Sequence, residues 1–381
     1  MRTNDAQKRG NTVDEVVLGV DTHLEFHVAV ALDGLGRRLG ESTMPTTAKG
    51  YESLLSWAER FGPVRSAGLE GTGSYGAGLA QHLKQRGVEV LEVERPKRRH
   101  LRRKGKSDPI DAEAAARAVL AGEAAGVPKS GDGRVESIRV LRAVRRSAVK
   151  ARTQAANQLR GLLVTAPEGL RQRLRRLSTG VLASTAARFR PGVRPDGPEE
   201  ATRFALRSAA RRYRSLSEEI AELDAQLARL VAEVAPELLD LPGVGTDHAA
   251  TLLVVAGDNP ERLRSEASFA SLCGVSPVEA SSGMVVRHRL NRGGNRDANR
   301  ALHLICVVRM RIDERTQRYV ARRTEEGKSR REIMRCLKRY VAREATTISR
   351  LRPPPPRRPG HWPRLPRRCD RRHLNIGASL R

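Results

Sequence analysis

The strongest constraint on the fold is a pair of apolar runs near the start of the chain. Residues 16–20 read VVLGV and end at Asp21, and a second run extends over Phe26–Leu32 before a Gly-containing turn at 33–36. Two such runs joined by a short polar segment predict an antiparallel hairpin. We therefore expect a β-sheet to start at the N-terminus.

Helices and strands alternate after this hairpin. The pattern predicts a helix over 48–60, a short strand over 66–70, a helix over 77–85 and a strand over 88–93. A hairpin followed by alternating helices and strands predicts a mixed α/β sheet.

A basic run comes next. Residues 95–106 read RPKRRHLRRKGK, with eight Lys or Arg in twelve residues. Asp108-Pro109 then opens an alanine-rich helix, where Pro suits the first position and Asp can act as the cap. The whole chain holds 71 Lys and Arg against 43 Asp and Glu, a net charge of +28. That excess favours a nucleic acid as partner over a membrane.

Several classes of protein are disfavoured. No run approaches about 18 apolar residues, so we expect no membrane span, and the N-terminus lacks a signal-peptide core, which predicts the cytoplasm. The cysteines are too far apart for a zinc site and are expected to be reduced and buried or incidental: Cys273, Cys306, Cys336 and Cys369. Aromatic residues form only 3% of the chain, which disfavours base stacking as the binding mode.

The rest of the chain is predicted to be mainly helical. Apolar residues at 216, 220, 223, 227, 230 and 234 form a heptad seam, which suits a coiled-coil hairpin packed on itself or on another subunit. The predicted division is a disordered N-terminus (1–12), an α/β domain (13–128), a helical hairpin (129–235), a mainly helical C-terminal domain (236–349) and a disordered Pro/Arg-rich tail (350–381).

Four carboxylates are candidates for a metal site. Asp21 and Glu70 end two predicted strands, whereas Asp108 and Asp111 lie three apart at a helix start and so share a face. Strand ends and a helix lying across a sheet can converge, and such a group would repel itself without hard cations such as Mg²⁺ or Mn²⁺. The simpler interpretation gives each acid a local structural role. Asp108 caps the helix, Asp111 is an acid of its first turn, Asp21 begins a turn and Glu70 is a solvated strand end.

Six segments together resemble the transposases of IS110/IS116-type insertion sequences. They are VVLGVDTHLEFHVAV, GLEGTGSYGAGLAQHL, KSDPIDAEAAARAVLAG, LLDLPGVGTDHAATLLV, FASLCGVSPVEASSG and HRLNRGGNRDANRALH. The resemblance covers roughly residues 13–345. It implies an RNase H-like (RuvC-like) DEDD domain in which Asp21, Glu70, Asp108 and Asp111 bind Mg²⁺ or Mn²⁺.

The same resemblance implies a nucleophilic serine in a Ser-Gly pair. Here that pair is Ser282-Gly283, and we favour Ser282 over the adjacent Ser281. Judged from the residues alone, the segment is simply a turn. The family's chains end soon after a segment like RCLKRYVARE, so the Pro/Arg-rich tail of this chain departs from the family's pattern.

Further residues are candidates for contact with nucleic acid. Gly243 and Gly245 belong to a turn that is typical of a helix-hairpin-helix, which binds phosphate through backbone N–H groups, although a structural tight turn is the alternative. The basic candidates, for which a solvated face is the alternative, are Arg98, Arg99, Arg102, Arg103, Lys104, Lys106, Arg287, Arg289, Arg292 and Arg296, with Arg300 close by.

These observations predict a DNA transposase or recombinase that cuts and rejoins DNA by metal-assisted serine attack. The resemblance also implies a homotetramer on DNA and a guide RNA encoded by the element. One alternative is a hydrolytic junction resolvase that uses the same acids. Another is a nucleic-acid-binding protein whose catalytic domain has decayed.

Overall fold

The computed structural model describes residues 15–93, 107–124, 126–192, 194, 196–263, 265–283 and 288–348. Several predictions fall outside these ranges. They concern the terminal segments 1–12 and 350–381, Cys369, Arg287, and the basic run with Arg98, Arg99, Arg102, Arg103, Lys104 and Lys106.

The N-terminal part is built on a five-stranded mixed sheet. Its strands are β1 (Val16–Thr22), β2 (Phe26–Leu32), β3 (Arg38–Pro45), β4 (Val64–Leu69) and β5 (Glu89–Glu92), in the order β3-β2-β1-β4-β5. β1, β2 and β3 pair antiparallel, whereas β4 is parallel to β1 and β5 is parallel to β4. The predicted hairpin and mixed α/β sheet are therefore present, and the arrangement is compatible with an RNase H-like fold.

Strand β3 was not predicted. Its sequence, RLGESTMP, has mostly exposed or half-buried positions at the edge of the sheet. An edge strand forms hydrogen bonds to a neighbouring strand along one side only, and its other side faces solvent. It therefore needs few apolar residues. β3 therefore lacks the apolar run that identified β1 and β2.

Helices cover both faces of the sheet. α1 (Ala48–Glu59) and α2 (Ala77–Gln85) pack on the face that carries Leu18 and Val20. α3 (Asp108–Leu120) packs on the opposite face, which carries Val17. The alternation of side chains along β1 assigns even-numbered residues to the first core and odd-numbered residues to the side of α3.

Two glycines let α3 lie very close to the sheet. A Cβ atom added to Gly19 on β1 would stand 1.9 Å from the carbonyl oxygen of Ala112, and one added to Gly68 on β4 would stand 2.7 Å from that of Ala115. Both distances are far inside van der Waals contact. Only glycine fits at these two positions, and this close contact sets the distance between α3 and the strands.

Two long helices follow. α4 (Arg134–Val164) and α7 (Pro198–Val234) pack against each other, with the short α5 (Glu168–Leu174) and α6 (Thr179–Ala186) between them in the chain. Arg134 Nη1 lies 2.9 Å from Glu233 Oε2, and Arg212 Nη2 donates to Gln158 Oε1 at 2.9 Å. These pairings show that the two helices run antiparallel. The heptad seam thus packs within the chain.

The C-terminal part is mainly helical, with one very short strand pair. Its elements are α8 (Pro236–Leu239), α9 (Thr246–Ala256), a 3₁₀ helix (Pro260–Arg262), α10 (Glu266–Leu272), β6 (Val278–Glu279), β7 (His288–Arg289), α11 (Arg296–Ile312), α12 (Glu314–Glu325) and α13 (Arg330–Ile348). Its core includes Phe269 and Leu302 and extends to Ile138 of α4 and Leu227 of α7. The long helices are therefore anchored in this core.

One acid fixes the start of α4 to this C-terminal part. The carboxylate of Asp258 accepts hydrogen bonds from the backbone N–H groups of Val135 (2.8 Å) and Glu136 (3.1 Å). It satisfies two N–H groups that an α-helix leaves without internal partners. Across the described ranges, no helix combines the length and apolar character needed to cross a bilayer.

Candidate active site

The parallel pairing of β1 and β4 brings two of the predicted acids to one edge of the sheet. Val20 pairs with Leu69, so Asp21 and Glu70 are the next residues along the two strands. The Thr22 hydroxyl donates to the backbone oxygen of Glu70 at 3.0 Å, which ties the strand ends together.

Side-chain alternation directs both acids to the face that α3 covers. Asp21 lies two residues after Gly19, and Glu70 lies two residues after Gly68, the glycines against which α3 packs. Residues two apart on a strand share a face. α3 begins at Asp108, so its first turn supplies acids to the same side of the sheet as Asp21.

The start of α3 corrects one expectation. The N-cap residue is Ser107, whose extended backbone (φ −144°, ψ 151°) suits that position, and Asp108 is already the first helical residue. Asp108 therefore does not cap the helix. The capping interpretation of this acid was wrong, and its carboxylate instead approaches His23.

Three side chains form a compact group at this edge. His23 Nε2 lies 3.3 Å from Asp21 Oδ2 and 3.4 Å from Asp108 Oδ2. One ligand atom from each residue can be chosen so that all three lie within 4.8 Å of one another. The Nε2 atom has no hydrogen bond of acceptable geometry, so the imidazole stands between two carboxylates without being aligned to either.

The group is partly open to solvent. The side chain of Asp21 is 13% exposed, and those of His23 and Asp108 are 36% and 39% exposed. A cation or a phosphate group therefore has access to it from one side, while the sheet and α3 close the other.

The two remaining acids lie near this group but do not belong to it. Asp111 is one turn further along α3, and Glu70 follows the end of β4. Neither offers an oxygen within the 4.8 Å limit that joins the other three residues. The structure thus brings together two of the four predicted acids.

His23 is a candidate site residue that the sequence did not suggest. The signal was present in the segment Asp21-Thr22-His23, since the residue two after an acid on a strand shares its face. A carboxylate pair with one imidazole can hold a divalent cation. The oxygens suit Mg²⁺ and Mn²⁺, whereas an imidazole nitrogen is more typical of transition metals.

The predicted nucleophile lies on the C-terminal part. Ser282 is exposed, Ser281 is half-buried, and both belong to the segment that joins β6 to β7. The role of Ser282 stays a prediction.

The turn predicted to bind phosphate makes packing contacts, and phosphate binding there stays a prediction. Gly243 has a φ of +76°, and a Cβ there would lie 3.1 Å from the carbonyl oxygen of Ile305. Arg309 Nε also donates to the carbonyl oxygen of Pro242 at 2.7 Å. Gly243 is thus needed for packing against α11. Gly245, in contrast, is exposed at the start of α9.

The described arginines of the predicted basic face all point to solvent. Arg289 lies on β7, and the others lie in or just before α11; the set is Arg289, Arg292, Arg296 and Arg300. Their exposure is compatible with phosphate contact and also with a solvated face.

The described cysteines are free thiols. Cys273 and Cys306 are buried, and burial raises the pKa of each thiol to about 12. Such thiols are neutral and unreactive at physiological pH. This agrees with the expectation that the cysteines are buried or incidental.

Two family profiles match the chain. One, a transposase profile for the DEDD type of IS110 elements, matches residues 18–166, and the other, described as the transposase of the IS116/IS110/IS902 family, matches residues 235–321. Together they cover more than half of the chain. This chain belongs to the IS116/IS110/IS902 transposase family. The first match spans the sheet and the Asp21–His23–Asp108 group, and the second contains the Ser281-Ser282-Gly283 segment.

Individual relatives agree with this membership. The chain is 34% identical over 125 residues to the IS110 uncharacterized 43.6 kDa protein of Streptomyces coelicolor, over 32% of this chain and 31% of that protein. It is 29% identical over 217 residues to the transposase for insertion sequence element IS1328 of Yersinia enterocolitica, over 54% of this chain and 59% of that protein. The matches thus span less than two thirds of either relative.

Proposed function

We propose that this chain is a DNA transposase whose Asp21, His23 and Asp108 hold a divalent cation. The observation that carries the proposal is the convergence of these three side chains within the segment that matches the DEDD transposase profile. A high positive charge, +28 over the chain, supports DNA as the substrate.

The donor set fits a divalent cation. The carboxylates of Asp21 and Asp108 stand close together with the partly exposed imidazole of His23 between them. A bound cation would reduce the repulsion between the two carboxylates. When bound, such an ion would neutralise charge on a phosphate group and polarise its phosphorus–oxygen bonds. We propose that Glu70 and Asp111 complete a wider centre around this group, because Glu70 follows the end of β4 and Asp111 lies one turn along α3 from Asp108. Mg²⁺ or Mn²⁺ suits the oxygen donors.

The second half of the proposed centre is Ser282. Its Oγ atom attacks a DNA phosphorus, loses its proton and forms a phosphoserine ester, while the bond from phosphorus to one DNA oxygen breaks and that oxygen takes up a proton. A hydroxyl of a second DNA strand then attacks the ester and releases the serine. Free serine is a weak nucleophile, so the reaction depends on a polarised phosphate.

The wider assembly is also part of the proposal. The N-terminal sheet is assigned to the RNase H-like class, with the domain limits at 13–128, 129–235 and 236–349. Strand exchange needs several active sites at once, which supports a homotetramer on DNA. A guide RNA would choose the target by base pairing, in the way of other RNA-guided systems.

Covalent attachment of protein to DNA tests the serine mechanism. The wild-type chain is incubated with labelled DNA that carries the element ends and with Mg²⁺, and adducts are resolved under denaturing conditions. We expect an adduct with wild-type and with the matched control Ser281→Ala, and none with Ser282→Ala.

Two other results would contradict the proposal. Equal cleavage by wild-type and Ser282→Ala without an adduct would identify a hydrolytic nuclease. Activity and binding that are unchanged in Asp21→Asn, with binding still sensitive to salt, would identify a nucleic-acid-binding protein with a decayed catalytic domain.

A further inference from the structure

A basic cleft of about 840 Å³ opens in the C-terminal part. Its walls are the loop 274–277, the base of the β6–β7 hairpin and the facing sides of α12 and α13. Seven Lys or Arg side chains line it, and Glu332 is the single lining carboxylate within the described ranges. Among the described cationic residues predicted from sequence, Arg289 is the one that contributes to this surface.

Local ion pairs do not neutralise this cleft. Arg339 and Arg343 share one acid, Glu266, and Arg323 pairs with Glu326. Seven cations thus face three carboxylates when Glu332 is included, and four positive charges remain.

The carboxylate of Glu332 already accepts hydrogen bonds within the protein. Ser329 donates to Glu332 from its hydroxyl (2.7 Å) and from its backbone N–H (2.9 Å) at the start of α13. These hydrogen bonds hold the pKa of Glu332 below its usual range. The acid therefore belongs to a helix cap and stays ionised, and its charge is one of the three carboxylate charges already counted.

Lys338 lies at the base of the cleft and is almost fully buried, with 8% of its surface exposed. Its Nζ atom donates to Asn299 Oδ1 at 2.9 Å, and no carboxylate of the described residues lies within 4.0 Å of it. Burial lowers the pKa of Lys338, as expected for a cation removed from water without a counter-ion. Such an arrangement is unfavourable unless an anion completes it.

The base of the cleft is rigidly organised. Asn299 Nδ2 donates to the carbonyl oxygens of Cys273 and Gly274, at 3.0 Å each, so its amide joins the loop to Lys338. A Cβ on Gly294 would stand 2.1 Å from the nitrogen of Gly274, which shows how tightly the NRGGN segment packs on this loop. Lys338 is therefore held in place before any ligand binds.

We propose that this cleft binds the phosphodiester backbone of a DNA strand, with Lys338 donating to a phosphate oxygen at its base. Arg335 and Lys328 supply charge along the rim. A chain of phosphates matches a surface that has several cations along one groove, whereas a single small anion would leave most of them uncompensated. The backbone, and not a base sequence, is what such a surface recognises.

The cleft also places this strand close to the proposed nucleophile. His288 and Arg289 of β7 form part of the wall, and Glu279 of β6 pairs with His288. Ser282 follows Glu279 by three residues, which is at most roughly 11 Å of extended chain. This last step rests on the proposed serine mechanism, while the binding of the strand does not.

Binding is tested without chemistry. Fluorescence anisotropy of labelled single-stranded DNA, duplex DNA and RNA of one sequence is recorded over a range of salt, without divalent ions and in a Ser282→Ala background. We expect Lys338→Met to weaken DNA binding by about 10- to 100-fold, the effect of losing a hydrogen bond to a charged group. The slope of log affinity against log salt should fall by about one.

Two further variants keep the test decisive. Arg335→Gln changes an exposed rim residue and should weaken binding without affecting folding, whereas Lys150→Met removes an exposed lysine of α4 and should leave affinity within about three-fold. Equal affinity for Lys338→Met, Arg335→Gln and Lys150→Met would overturn the proposal. A loss confined to RNA would overturn the assignment to DNA.

The adduct assay separates this inference from the proposed function. With Ser282 present, Lys338→Met should form the protein–DNA adduct less than the wild type does. Lost binding with no adduct even in the wild type would leave the cleft standing and refute the serine mechanism. Lost binding with undiminished adduct would show that the cleaved strand does not pass through the cleft.

Discussion

The contact between Gly19 and α3 sets the height of Asp108 above Asp21, and Gly19→Ala tests its role. The new Cβ would stand 1.9 Å from the Ala112 oxygen, and ordinary contact begins near 3.4 Å, so α3 has to retreat by about 1.5 Å. Metal–ligand distances tolerate only about 0.2 Å. A displacement of this size should therefore open the Asp21–His23–Asp108 group without changing any of its residues.

Two quantities should change together. Overpacking of this kind costs about 1–3 kcal/mol, which lowers the melting temperature by several degrees. A misplacement of about 1 Å can also reduce a catalysed rate by roughly 100-fold. We therefore expect a lower melting temperature, weaker Mn²⁺ binding by calorimetry and a large loss of DNA cleavage.

The matched control is Gly161→Ala on α4. A Cβ at Gly161 meets no atom within 4 Å, and Ala is favoured over Gly inside a helix by about 0.5–1 kcal/mol. This variant should retain or increase stability and bind Mn²⁺ as the wild type does. If Gly19→Ala melted at the wild-type temperature and bound Mn²⁺ with wild-type affinity, this would refute the view that the packing of α3 on Gly19 positions the acids.

Three further predictions follow from particular contacts. Arg309→Leu removes a buried guanidinium that pairs with Glu344 at 2.6 Å, and should lower the free energy of unfolding by about 1–3 kcal/mol; an unchanged denaturant midpoint would contradict this. Burial raises the thiol pKa values of Cys273 and Cys306 to about 12, so alkylation of the native protein at pH 8 should leave both cysteines unmodified until the protein unfolds. Rapid labelling of either cysteine, detected by peptide mass spectrometry, would disprove this prediction. His23→Asn should weaken Mn²⁺ binding more than Mg²⁺ binding, since Mn²⁺ accepts a nitrogen ligand more readily than Mg²⁺ does; equal losses in paired titrations would argue against a ligand role.

Local patterns were sufficient to predict that Asp21 and Glu70 lie at the ends of two strands. The apolar run that ends at Asp21 and the short strand before Glu70 are both core strands, so their hydrophobicity identified them and placed the acids at their ends. The alanine-rich helix was equally clear from its composition. The sequence pattern did not show how far apart the acid side chains lie, because the packing of α3 on Gly19 and Gly68 determines which acids meet.

The features that escaped prediction depend on tertiary contacts. β6 and β7 are two residues each, too short for any periodicity to show. The cations of the cleft are spread over β7, α12 and α13, and only the folding of these elements against the loop 274–277 gathers them. In the sequence nothing separates Lys338 from the other Lys and Arg residues, and only its burial in the structure does so.

Direct titration with Mn²⁺ tests most simply whether the Asp21–His23–Asp108 group binds a divalent cation. Calorimetry of the whole chain should show saturable binding that falls by at least about 10-fold in Asp21→Asn and in Asp108→Asn, since even residues that only orient ligands have effects of this size. Asp132→Asn, which changes an exposed acid far from the group in sequence, should bind as the wild type does. Affinity that is equal in all four proteins would contradict the proposed binding.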